Sequence, residues 1–279
     1  MIKSLLPRTV HKVWGRRDIP ATFGQMNDAA RPIGEIWFEA PAGADADLLV
    51  KFLFTSERLS IQVHPDDAAA QEAGHARGKD EAWLILSAEP DARIALGTRR
   101  PLAPEELRQA ALDGSIVDLV DWRPVSPGDF IYSPAGTIHA IGGGISLIEV
   151  QQNCGVTYRL YDYGRDRELH LDAGLAAARS GAFENPSRSE EVRPGRTVLF
   201  RGGKFVVERW QGLGPITLSP ARDRPLWITP LAGGGRLDGK EAEFGSVWRI
   251  ERDTQAGLGT DVVWLVSYPG AEAEDALLS

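Results

Sequence analysis

Glycine and proline cut this chain into short pieces, and no other feature limits its fold as tightly. Thirty glycines and eighteen prolines are spread over 279 residues. Between them lie short runs rich in β-branched and aromatic side chains, which read as strands. The candidates are 34–39, 48–54, 59–64, 82–87, 92–96, 129–133, 137–141, 145–151 and 156–161, followed by 197–200, 204–210, 225–230, 245–250 and 262–267. Many short strands with turn signals between them predict an all-β sandwich or jelly roll. Helical signals are few. Residues 104–114 have proline at the start, acids in the first turn and glycine at the end. Residues 67–78 form a weaker candidate, interrupted by Gly74, and 171–181 is an alanine-rich linking helix. The polar, turn-rich stretch 184–195 after it reads as a linker.

Charge narrows the function. Thirty-one basic against thirty-nine acidic residues leave a net charge of −8. That argues against a general binder of nucleic acid or anionic membranes, while leaving room for a local basic pocket. The single cysteine, Cys154, cannot close an intrachain disulfide, so a reducing, cytoplasmic setting is expected. The N-terminus lacks the apolar core of a secretion signal, and no window has the roughly 20 apolar residues of a membrane span.

All five histidines, at 11, 64, 75, 139 and 170, precede residue 171, so a histidine site belongs to the first part of the chain. In "LSIQVHPDD", Ser60, Gln62 and His64 share one face of a strand, because side chains alternate with period two. Farther on, "PGDFIYSPAGTIHAIGGG" spaces Gly128, Pro134, Gly136 and His139 so that two tight turns deliver a histidine on a strand. This pattern is similar to the second motif of the cupin superfamily, where that histidine binds metal. Cupins usually place a His-x-His pair upstream; here Gln62 stands in the first position, and Glu81 follows His64 after sixteen residues. That variant, "LSIQVHPDD" with "GKDEAW" and "SPAGTIHAIGGGISLIEVQQNCGVTYRLYDYGR", resembles the type I phosphomannose isomerases. The resemblance takes in "KVWG" (12–15) and "PIGEIW" (32–37), covers residues 1–170, and fits the short bacterial form.

The resemblance implies two cupin jelly-roll barrels: a metal-binding catalytic domain over 1–170, a helix and linker over 171–195, and a degenerate second barrel over 196–279 without metal ligands. It implies that Gln62, His64, Glu81 and His139 bind one Zn²⁺, a set that other divalent metals also suit. Arg159 matches the family's catalytic arginine, and Glu149 is a second catalytic candidate. Ser60, Lys79 and Lys51 match positions that line the substrate pocket. The implied reaction interconverts mannose 6-phosphate and fructose 6-phosphate through a cis-enediol. The proton carrier is left open between Glu149 and a metal-bound hydroxide. The competing readings are another cupin enzyme, such as a metal dioxygenase or a different sugar-phosphate isomerase, and a non-catalytic sugar-binding cupin. His75, His11 and His170 are expected to be structural, and Lys3, Lys12 and Arg99/Arg100 to be solvated surface charges.

Overall fold

The structure, a computed structural model, describes residues 2–26, 31–40, 46–221 and 224–278. Among them, strands build four sheets that pack as two pairs, and the helices are few and short. The all-β, jelly-roll expectation holds. The first pair comprises a six-stranded sheet and a five-stranded one. The six-stranded sheet runs in the order Pro7–Arg16, Ile33–Phe38, Leu48–Phe54, Ile145–Gln152, Glu81–Ala88, Phe130–Ser133. The five-stranded sheet runs Tyr158–Tyr161, Ile61–Val63, His139–Ile141, Arg93–Thr98, Val120–Pro124. The pairings within both are antiparallel.

Alternation explains how the layers stack. In Leu48–Phe54 every residue is buried, because both faces are covered. Val50, Phe52 and Phe54 join Ile148 and Val150 of the neighbouring strand in a cluster with Phe200, Phe205 and Trp227 from the later sheets. The odd-numbered Lys51 and Leu53 point the other way, between the first two sheets. On the five-stranded sheet, Ile61 and Val63 face outward onto Leu107, Ala110 and Ala111 of helix Pro104–Asp113. Burying each such aliphatic side chain stabilises the layer by about 1.5–3 kcal/mol. That outward apolar row forces Ser60, Gln62 and His64 inward. Gly114 ends the helix in the left-handed region, at φ 87°.

The second pair is a seven-stranded and a four-stranded sheet. The N-terminal strand Ile2–Ser4 crosses over to pair with Trp248–Ile250 at the edge of the seven-stranded sheet. In its core Arg196 makes a two-pronged ion pair with Glu208 at 2.6 and 2.7 Å, and both side chains are excluded from water. Between the units, Tyr132 stacks on Phe200 with ring centres 3.6 Å apart, and Lys204 reaches Asp67 at 2.6 Å. The helix expected over 67–78 spans only Asp67–Glu72, because Gly74 turns left-handed at φ 84°. Strands at Pro7–Arg16, Gly214–Leu218 and Thr254–Leu258 add to those read from sequence.

Candidate metal centre and substrate pocket

Three elements converge on one point between the first two sheets. His139 pairs across strands with Gln62, and Arg159 pairs with Gln62 from the other side. Glu81 opens its strand on the facing sheet, opposite Gln151. Two turns set the approach. Gly136, at φ 86°, donates its N–H to the carbonyl of His64 at 2.8 Å and ties the turn before His139 to the strand of His64. Gly78 lies so close to the backbone of Asp66 that a Cβ would sit 2.5 Å from its carbonyl carbon. The close approach seats Lys79 and Glu81 beside His64.

The imidazoles are aimed by backbone carbonyls. Nδ1 of His64 lies 2.9 Å from the carbonyl of Val156, and Nδ1 of His139 lies 2.9 Å from that of Thr137. Each carbonyl holds the proton on Nδ1 and turns the Nε2 lone pair inward, as the outer hydrogen bond of a metal-bound histidine does. Nε2 of His64 stands 3.3 Å from one oxygen of Glu81, and Nε2 of His139 stands 3.6 Å from the other. The donor atoms of His64, Glu81 and His139 all lie within 4.8 Å of one another. Both oxygens of Glu81 are buried without an aligned hydrogen-bond donor, although the ammonium of Lys79 is 2.7 Å from one of them. Burying a carboxylate without such donors is costly, and a divalent cation is the partner that two imidazoles and a carboxylate best fit. Gln62 completes the ring: its Nε2 lies 3.2 Å from Nε2 of His139, and its Oε1 accepts from Ser60 at 3.0 Å. A half-turn of the amide puts its oxygen where Nε2 stands, and the Ser60 hydroxyl can bond either atom.

Burial, aided by the charge of Lys79, depresses the pKa of His64 to about 3. Burial likewise lowers that of His139. Both imidazoles are therefore neutral at pH 7, as ligation requires. The Glu81 carboxyl is held well below its usual range: the charge of Lys79 and contact with His64 outweigh its burial.

A pocket of about 260 Å³ opens from these residues. Gln62, Glu81, His139, Ser60, Lys79, Lys51, Glu149 and Arg159, eight of the nine residues singled out from sequence, line it directly. His64 stands behind them, within the cluster. Lys51 is buried, bonded to Glu149 at 2.8 Å and to Gln151, and lies 4.7 Å from the ring centre of Trp37. Glu149 also accepts from Trp83 Nε1 at 3.2 Å. Burial and the charge of Glu81 push the Glu149 carboxyl up, while Lys51 pulls it down. Nη1 of Arg159 donates to the carbonyl of Glu168 at 2.6 Å, while its Nε is buried without an acceptor.

Several lining residues went unassigned in the sequence. Lys12, expected to be solvated, is half-buried at the pocket wall, 3.5 Å from Glu35. Glu35, Trp14 and Arg167 line the pocket as well. The available signal was period-two alternation, which puts Lys12 with Trp14 and Glu35 with Trp37. His75 is exposed, as expected of a bystander. His11 bonds the carbonyl of Pro32, and His170 receives the N–H of Arg159.

Fold and site together define a cupin-type β-sandwich protein with a buried His–Glu–His cluster able to hold a metal ion at the base of a cation-lined pocket. No family model matches the chain. A mannose-6-phosphate isomerase of Streptococcus mutans is 38% identical over 198 residues, spanning 68% of this chain and 62% of that protein. The mannose-6-phosphate isomerase ManA of Bacillus subtilis is 36% identical over 228 residues, spanning 74% and 70%. The crystal structure of a B. subtilis mannose 6-phosphate isomerase superposes with a TM-score of 0.79 at 27% identity, covering 95% of this chain and 98% of that one. The chain belongs to the mannose-6-phosphate isomerase family.

Proposed function

We infer that the protein is a zinc-dependent aldose–ketose isomerase interconverting mannose 6-phosphate and fructose 6-phosphate through a cis-enediol. One observation carries the reading: two carbonyl-anchored imidazoles and a buried carboxylate without an aligned hydrogen-bond donor meet at the base of a pocket walled by lysine and arginine. His64, Glu81, His139 and, through its amide oxygen, Gln62 would hold the zinc. When bound, the cation supplies Lewis acidity beside the sugar's O1 and O2.

The protein's own groups do the rest. Arg159, on the strand beside Gln62, orients the sugar oxygens and offsets negative charge on the enediolate. Lys79 and Ser60 sit against the metal ligands and fix the reacting end of the substrate. Glu149 takes the C2 proton and returns it at C1; burial raises its basicity, and Lys51 and Trp83 fix its direction. The unit over 1–170 carries the chemistry. Residues 171–189 connect, a shorter stretch than the 171–195 expected from sequence, because Glu190–Arg193 already pairs with Arg196–Phe200 at the edge of the seven-stranded sheet. The part over 196–279, with no histidine, backs the six-stranded sheet. The substrate is a small sugar phosphate, and the setting is cytoplasmic, which suits a single free, buried Cys154. No helix among the described residues is long and apolar enough to cross a membrane.

The test is elemental analysis of the purified protein together with a coupled assay of fructose 6-phosphate formation. One zinc per chain and turnover of mannose 6-phosphate are expected. A zinc-loaded protein that leaves mannose 6-phosphate unchanged overturns the reading.

A further inference from the structure

We propose that Arg167 is a phosphate-anchoring residue, whose idle Nη1 offers the substrate's phosphate group a subsite on the pocket wall, while Arg159 beside it stays with the reacting end. The proposal rests on the isomerase reading and adds a residue to it. The pocket's other cations are largely spent on internal partners. Lys79 is 2.7 Å from Glu81 and 3.2 Å from His64. Lys51 is paired with Glu149, and Lys12 faces Glu35. Arg165, two residues before Arg167, is committed to Glu57 at 2.8 Å and Asp162 at 3.2 Å.

Arg167 differs from these. Its Nε and Nη2 both donate to the buried carboxylate of Asp162, each at 2.6 Å. That clamp fixes the plane of the guanidinium. Among the described residues Nη1 has no acceptor, and the side chain lines the pocket. Arg159 lines the same pocket, its Nη1 held by the carbonyl of Glu168 and its buried Nε lacking an acceptor. The two charges feel each other: Arg167 is among the causes that depress the Arg159 guanidinium, after burial. Asp162 thus divides its charge between Arg165 and Arg167, while the Nη1 hydrogen bond of Arg159 goes to an uncharged backbone carbonyl, which leaves positive charge in surplus at this wall. A dianion with several acceptor oxygens satisfies the surplus charge and the idle N–H groups together.

The experiment compares wild type, Arg167→Met and Arg167→Lys, each zinc-loaded. It reads KM and kcat for mannose 6-phosphate, the preference for mannose 6-phosphate over unphosphorylated mannose, and the thermal shift produced by inorganic phosphate. Losing a charge-assisted contact raises KM about 10- to 100-fold, with the loss in KM rather than kcat. The preference falls by the same factor, Arg167→Lys recovers part of it, and the phosphate-induced shift disappears in Arg167→Met. Arg167→Gln, which still donates to Asp162, serves if Arg167→Met does not fold. A folded variant with unchanged KM and an unchanged phosphate shift overturns the proposal. So does an equal loss on mannose and mannose 6-phosphate, which marks a purely structural hold on Arg159. Failure of the isomerase reading looks different: wild type shows no turnover, while the phosphate shift still reports on Arg167.

Discussion

The buried pair of Lys51 and Glu149 separates structural from catalytic work. The two charges lie 2.8 Å apart with side chains only 7% and 6% exposed, deep in the strands that carry the pocket. Lys51→Met leaves Glu149 with the Trp83 N–H alone and the Glu81 charge nearby. Breaking a buried pair from one side costs about 3–5 kcal/mol. Proton uptake by Glu149, whose pKa is already raised, sets a ceiling on that cost. Glu149→Gln strands the ammonium of Lys51, but Gln151 and the field of Glu35 still support it. Losing a hydrogen bond to a charged group then costs about 1.5–3 kcal/mol. The double variant removes both charges, so its cost should fall well below the sum of the two. Urea unfolding of the four zinc-loaded proteins gives this cycle directly. Turnover answers the catalytic question: a proton carrier is worth about 10²–10⁴-fold, so kcat should collapse in Glu149→Gln and in the double variant, even where the latter regains stability. Additive stability costs would refute the coupling, and near-normal turnover of Glu149→Gln with full metal would refute the assignment of Glu149.

His139→Ala should lose bound zinc and isomerase activity while the sheets persist, since the fold does not hinge on this side chain; full metal occupancy by elemental analysis would contradict its role as ligand. Glu208→Ala should cost about 3–5 kcal/mol, because Arg196, 1% exposed, loses its buried counter-charge far from the pocket; urea unfolding measures the cost and a metal assay should show the site intact. Asp67, bonded to Lys204, Gln152 and the N–H of Gly78, has its pKa lowered from the ordinary 3.8 to about 2, burial opposing those bonds. Its folded value lies below the unfolded one, so its contribution is complete above pH 3.8 and fades as pH falls towards 2; Asp67→Asn should flatten that part of the stability–pH curve, by a small amount because the pair is partly exposed.

Much of this protein was legible residue by residue. The strand runs and the jelly-roll class follow from punctuation and period-two alternation, as does the shared face of Ser60, Gln62 and His64. That this face turns inward was decided by the helix Pro104–Asp113, which covers Ile61 and Val63 on the outer side. The strand Pro7–Arg16 was missed because it is an edge strand with two register shifts against Ile33–Phe38, so the alternation of Lys12 with Trp14 covers only a short piece of it. That miss also hid Lys12 as a pocket residue.

What the chain determines alone is therefore local: where strands start, which face is polar, and which residues have the chemistry to bind metal. The tertiary structure decided their partners. Lys51 meets Glu149 across 98 residues because the two strands pair in one register. Lys204 of the later sheets reaches Asp67 of the first unit, and Asp162 clamps Arg167 into the pocket wall. Each of these pairings depends on sheet register and layer packing, which are set by burial summed over many strands rather than by any short stretch of sequence.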